Sequence, residues 1–98
     1  MMPTYVVLLN WTDQGVRNVK DTVARAQAFQ ATASQQGVQV KALYWTMGAY
    51  DGVIVLEAAD EETAGAVLLS VAALGNVRAQ TLRAFDADEM TRMIGKMP

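Results

Sequence analysis

The sequence predicts an α+β sandwich, β-α-β-β-α-β with a short C-terminal helix, in which two helices cover one face of a four-stranded sheet. Three observations predict it. Residues 4–10 and 52–56 are apolar at both parities, as strands in the middle of a sheet are. Residues 38–43 and 77–85 alternate apolar with polar, as edge strands do. Between the members of each pair lies a stripe of apolar residues at helical spacing. Ninety-eight residues with 52% hydrophobic content suit one core, so 1–98 is expected to be a single domain.

Taken in order, the first strand carries Tyr5, Val6, Val7, Leu8 and Leu9 behind Pro3, and the chain leaves it at residues 10–15. Thr12 or Asp13 can cap the next turn through a side-chain oxygen. Val16, Val19, Val23, Ala26, Phe29 and Ala33 then form one stripe. The cap-type pair Asp21-Thr22 divides it into an opening turn over about 12–20 and a main helix over about 22–36, which Gly37 ends. The second strand begins as an alternating segment, 38–43, and turns aromatic at Tyr44-Trp45. Its connection to the third strand bends near Gly48. Asp60 caps the second helix with Glu61 and Glu62 beside the positive end of its dipole. Ala64, Val67, Leu68, Val71, Ala72 and Leu74 form its inward stripe, and Gly75 stops it. In the last strand Val77, Ala79, Thr81, Arg83 and Phe85 alternate with Arg78, Gln80, Leu82 and Ala84. Residues 86–89 then open a helix bearing Met90, Met93 and Ile94.

The apolar strands belong at the centre and the alternating ones at the edges. With right-handed crossovers the spatial order is fourth, first, third, second, the split β-α-β arrangement of a ferredoxin-like sheet. The same reading lays the first and third strands side by side in parallel, with Trp11 at the end away from Asp51. Both central strands keep apolar side chains on the face without helices. An open face of that kind amounts to several hundred Å² of apolar surface on the usual scale. A second copy packing sheet to sheet would cover it, and a charged fraction of only 18% agrees with a covered surface.

A net charge of −2 without a basic cluster argues against nucleic acid. The chain has no cysteine and no histidine, which excludes disulfides, thiolate nucleophiles, zinc-finger spacings and imidazole acid–base chemistry. A metal site would have to be built from carboxylates and carbonyls, and none is expected, nor any cofactor. The opening residues lack a basic segment followed by a long apolar run, and no run approaches the roughly 20 residues of a membrane span. No membrane attachment is expected, and the cytoplasm is the expected compartment.

Asp51 is the sharpest candidate for chemistry, because a carboxylate just ahead of Val53-Ile54-Val55-Leu56 is a poor strand former. It can serve as an acceptor for backbone N–H groups at the hairpin, as a ligand or interface contact, or as an acid–base group. A tight turn at Asp51-Gly52 is disfavoured, since it would leave Gly48 inside a strand of about 13 residues. Tyr50 is expected at the hairpin tip against Tyr44 and Trp45, as cross-strand aromatic packing or as a pocket wall or subunit contact. Trp11 completes the set. The carboxylates at 60–62 and 86–89 read as helix caps rather than a cation site. The methionines read as adaptable packing, and no phosphate-loop spacing occurs.

Gly48-Ala49-Tyr50-Asp51, reached through residues 43–47, resembles the motif that names the GYD domain family. Residues 11–21 resemble that family's opening segment and 74–85 its last strand, so the likeness spans nearly the whole domain. Ala49 falls at a permissive position. The resemblance implies a fold similar to the dimeric α+β barrels, working as a homodimer or higher oligomer, and carries over no catalytic residue. A Gly-x-Tyr-Asp hairpin also resembles the ligand-sensing domains of feast/famine transcription regulators. No helix-turn-helix precedes the first strand here, so the DNA-binding half of that analogy is not expected. The expected function is a small-molecule binding or sensing module. The alternative is a cofactor-free isomerase or monooxygenase using Asp51 or Tyr50, and a purely structural oligomer is a third reading; fold alone does not grant activity.

Overall fold

In the computed structural model, which describes residues 2–98, the strands are β1 (Thr4–Trp11), β2 (Gln39–Trp45), β3 (Gly52–Glu57) and β4 (Val77–Ala84). The helices are α1 (Asp13–Arg17), α2 (Thr22–Gln35), α3 (Glu61–Ala73) and α4 (Ala87–Gly95), with a 3₁₀ turn at Val19–Asp21 between α1 and α2. The sheet order is β2-β3-β1-β4, as the strand patterns predict. Every neighbouring pair is antiparallel. That corrects the expected parallel pairing of β1 and β3. A crossover makes β2 parallel to β1, and the hairpin then reverses β3 against both.

Alternation sorts the side chains of the sheet. Tyr5, Val7, Ile54 and Leu56 point to one face and are buried there with Phe29 and Ala33 of α2 and Ala64 and Val67 of α3. Val6, Leu8, Val53 and Val55 point to the other and are only half-buried. In β2 a register shift between Val40 and Ala42 keeps both Val40 and Leu43 against the core, so the strand does not alternate strictly.

The stripe expected along 16–33 is buried only at its C-terminal end. Phe29 and Ala33 are in the core, whereas Val16 and Val23 are each 54% exposed. The 3₁₀ turn redirects the chain between α1 and α2 and takes Val16 out of line with α2. Val23 is inside α2, where two successive steps of three residues put it about 120° around the helix from Phe29. In α3, Leu68 and Val71 pack on the core, but Ala72 and Leu74 are exposed. α4 begins with a capping box between Asp86 and Glu89. Arg83 holds that start, its Nη2 3.1 Å from Glu89 Oε2 and its guanidinium 4.5 Å from the centre of the Phe85 ring.

Asp60 caps α3 as expected, accepting the Thr63 N–H at 2.7 Å. That backbone hydrogen bond, reinforced by the Thr63 side chain, holds its carboxyl below the ordinary value. A lowered native value means stability that is present above the unfolded value of about 4 and is lost as pH falls through the folded one. Asp60→Asn should therefore lower the melting temperature at pH 7. The deficit should shrink as pH falls below about 4, in parallel melts of the two proteins.

Candidate functional site

The antiparallel pairing brings the end of β1 to the start of β3, and this junction organises the site. Asp51 donates its backbone N–H to Leu9 O at 2.8 Å and accepts the Trp11 N–H on Oδ2 at 2.9 Å. Its carbonyl accepts the Thr46 N–H at 2.9 Å, and Asn10 Nδ2 donates to Ala49 O at 2.8 Å. The side chain thus continues the β1–β3 ladder past the last paired residues, Leu9 and Gly52. The expected separation of Trp11 from Asp51 is wrong for the same reason as the parallel pairing. Gly48 takes the turn with φ +113°, and Gly52 lies in the strand. Removing the acceptor with Asp51→Ala should cost about 1–3 kcal/mol in chemical denaturation, and Asp51→Asn, which keeps an oxygen, less than about 1 kcal/mol.

The five aromatic and acidic candidates divide between the two faces of the sheet. Trp45 lies opposite Gly52 and turns toward the helices, where Nε1 donates to Thr22 Oγ1 of α2 at 3.0 Å. Trp11 continues the Tyr5-Val7-Leu9 side of β1 and joins it there with Asp51. Tyr44 pairs with Val53, on the open-face side of the alternation, and also contributes to the wall of the cavity under the helices. Tyr50 reaches across to β4, its hydroxyl donating to Gln80 Oε1 at 3.0 Å. The expected packing of Tyr50 on Tyr44 and Trp45 gives way to this contact, because Tyr50 precedes the strand and points over β1.

On the helix side, α2 and α3 part above Trp11, Trp45 and Asp51 and leave a cavity of about 310 Å³. Leu9, Phe29, Leu43, Ile54 and Val71 supply much of its apolar wall, and Arg25 and Asp51 its charged groups. Its volume falls at the small end of the ~300–1,000 Å³ typical of small-molecule sites. By sequence Thr22 reads only as a cap-type residue, and Arg25 is not singled out. Their signal is that Thr22, Arg25, Ala26 and Phe29 fall at helical spacing on α2, placing a cation among inward-facing residues. Asn76, also in the wall, is held by α1: it accepts the Thr12 N–H on its carbonyl at 3.1 Å. Among the described residues no group of three acidic side chains converges as a metal site would require. No helix there is long and apolar enough to cross a membrane.

Comparison with known proteins agrees with this architecture. Residues 5–94 match the GYD domain. The chain is 37% identical over 94 residues to a Thermus thermophilus protein named glutamine synthetase and cystathionine beta-lyase binding protein, covering 94% of this chain and 99% of that one. The crystal structure of MtbAldR superposes with a TM-score of 0.66 at 15% identity, covering 88% of this chain and 55% of that one. At that identity the likeness is one of ferredoxin-like fold.

Proposed function

This chain belongs to the GYD domain family, and on that premise we propose that it is an oligomeric binding module of the cytoplasm. Its cavity between α2 and α3 takes a small molecule, and its surface engages a metabolic enzyme. The cavity carries the first part of this reading: apolar walls, a few polar groups and both tryptophans meet where the two helices part. The Thermus relative supports the second, since its name states binding to two enzymes. Oligomerisation is supported by the apolar outward residues Val6, Leu8, Val53 and Val55, which have neither α2 nor α3 over them. Asp51 is better read as a backbone acceptor and cavity wall than as a general base, because Oδ2 already holds the Trp11 N–H.

A metabolite screen by melting temperature and tryptophan fluorescence tests the small-molecule reading. Compounds that occupy the cavity should raise the melting temperature and change the fluorescence saturably. Trp11→Phe and Trp45→Phe identify the tryptophan that responds. A broad screen that moves neither signal would remove the sensing role and leave enzyme binding as the function.

A further inference from the structure

We infer that the cavity takes a small apolar carboxylic acid and that Arg25 receives its carboxylate. This inference rests on the small-molecule reading of the same cavity. Arg25 stands on the inward side of α2 among apolar wall residues, three residues after Thr22 and four before Phe29. Its Nη1 donates to Asn18 O at 2.7 Å, which anchors the guanidinium to the residue that caps the end of α1. Its Nη2 is shielded from solvent and has no hydrogen-bond acceptor among the described residues.

A shielded guanidinium nitrogen without an acceptor is an unfavourable arrangement that an anion relieves. The chain's own carboxylates do not supply one. The ion pairs among the described residues are Lys41–Glu57 and Arg83–Glu89. Asp51, in the same wall, is engaged with Trp11 instead. A carboxylate is the ligand group that guanidinium geometry matches best at this size, since it offers planar acceptor oxygens to the planar N–H groups. The remaining wall is mostly aliphatic and aromatic, with Thr22, Thr32, Ser70, Asn76 and Asp51 as its polar members, so most of the ligand is apolar. Rotation about the aliphatic bonds of the side chain moves the planar guanidinium as one unit and can bring Nη2 to face a carboxylate in the cavity.

The test compares acids with their neutral isosteres: phenylacetate against phenylacetamide, and hexanoate against hexanamide. Each is titrated into the full chain and followed by tryptophan fluorescence, with phenethylamine as the cationic counterpart. The acids should bind at least tenfold more tightly than the amides. Arg25→Gln should erase that difference while leaving amide affinity unchanged, and Arg25→Lys should restore part of it. Because acid and amide are compared on the parent chain, the result does not depend on a variant folding. Equal binding of acid and amide, or tighter binding of phenethylamine, would overturn the carboxylate assignment and leave the cavity as a binding site. Binding of none of these compounds to the parent chain would remove the acid assignment and count against the cavity reading as well.

Discussion

Gly15→Ala should cost about 3 kcal/mol of stability, an effect out of proportion to one methyl group. A Cβ built at Gly15 would lie 2.0 Å from the carbonyl oxygen of Asn76 and 3.2 Å from Trp11 Cδ1. The obstacle is backbone, and it is tied in place: Asn76 O accepts the Thr12 N–H at 3.1 Å, and Gly75 O accepts the Thr12 hydroxyl at 2.6 Å. Relieving the clash means pulling the loop after α3 away from α1 and breaking those bonds, so overpacking adds to lost hydrogen bonding. Trp11 and Asn76 both line the cavity, and the same substitution should weaken ligand binding. Urea denaturation measures the first effect. Gly65→Ala is the control, because a Cβ there meets nothing within 4 Å in the middle of α3, and it should stabilise by about 0.5–1 kcal/mol.

Val53→Asp should give single folded chains in place of the proposed oligomer. Val53 sits in a central strand on the face opposite α2 and α3, half-buried within one chain. A carboxylate at that position can be hydrated in a lone chain. Pressed into a sheet-to-sheet contact it would lose that water without an assured partner, at a cost of several kcal/mol per copy. Light scattering on the parent at micromolar concentration should give at least twice the 10.6 kDa of one chain, and on the variant 10.6 kDa itself. Circular dichroism should show the same helix and strand content in both. A parent that is already monomeric would remove the sheet-to-sheet assembly.

The strand order was legible because it depends on the parity of apolar residues, and residues 4–10 and 52–56 could lie only at the centre. Gly48 was legible too, since placing the turn there left Gly52 free for the strand. The direction of β3 follows from the hairpin alone, and its antiparallel pairing with β1 brings Trp11 beside Asp51 where a parallel pairing would hold them apart. The cavity was not legible. Its existence depends on how far α2 and α3 diverge, and helical spacing reports the face of a helix but not its distance from the sheet. Val16 and Val23 fall on the same stripe by spacing, but the 3₁₀ turn separates Val16 from α2, and steps of three residues carry Val23 about 120° around α2 from Phe29. Arg25 was hidden because a lone cation on a helix is ordinarily solvated, and only the fold encloses part of its guanidinium. Gly15 was passed over because the residue it must avoid, Asn76, is 61 positions away.

The proposed small-molecule site lies between the helices and the sheet. Amide and indole shifts in a two-dimensional ¹H–¹⁵N spectrum test it most directly, recorded as the strongest compound of the metabolite screen is titrated in. The largest shifts should fall on Leu9, Trp11, Arg25, Trp45, Gly52 and Val71, including the indole N–H that Trp45 donates to Thr22. Shifts confined to Val6, Leu8, Val53 and Val55 on the open face, or to α4, would contradict it.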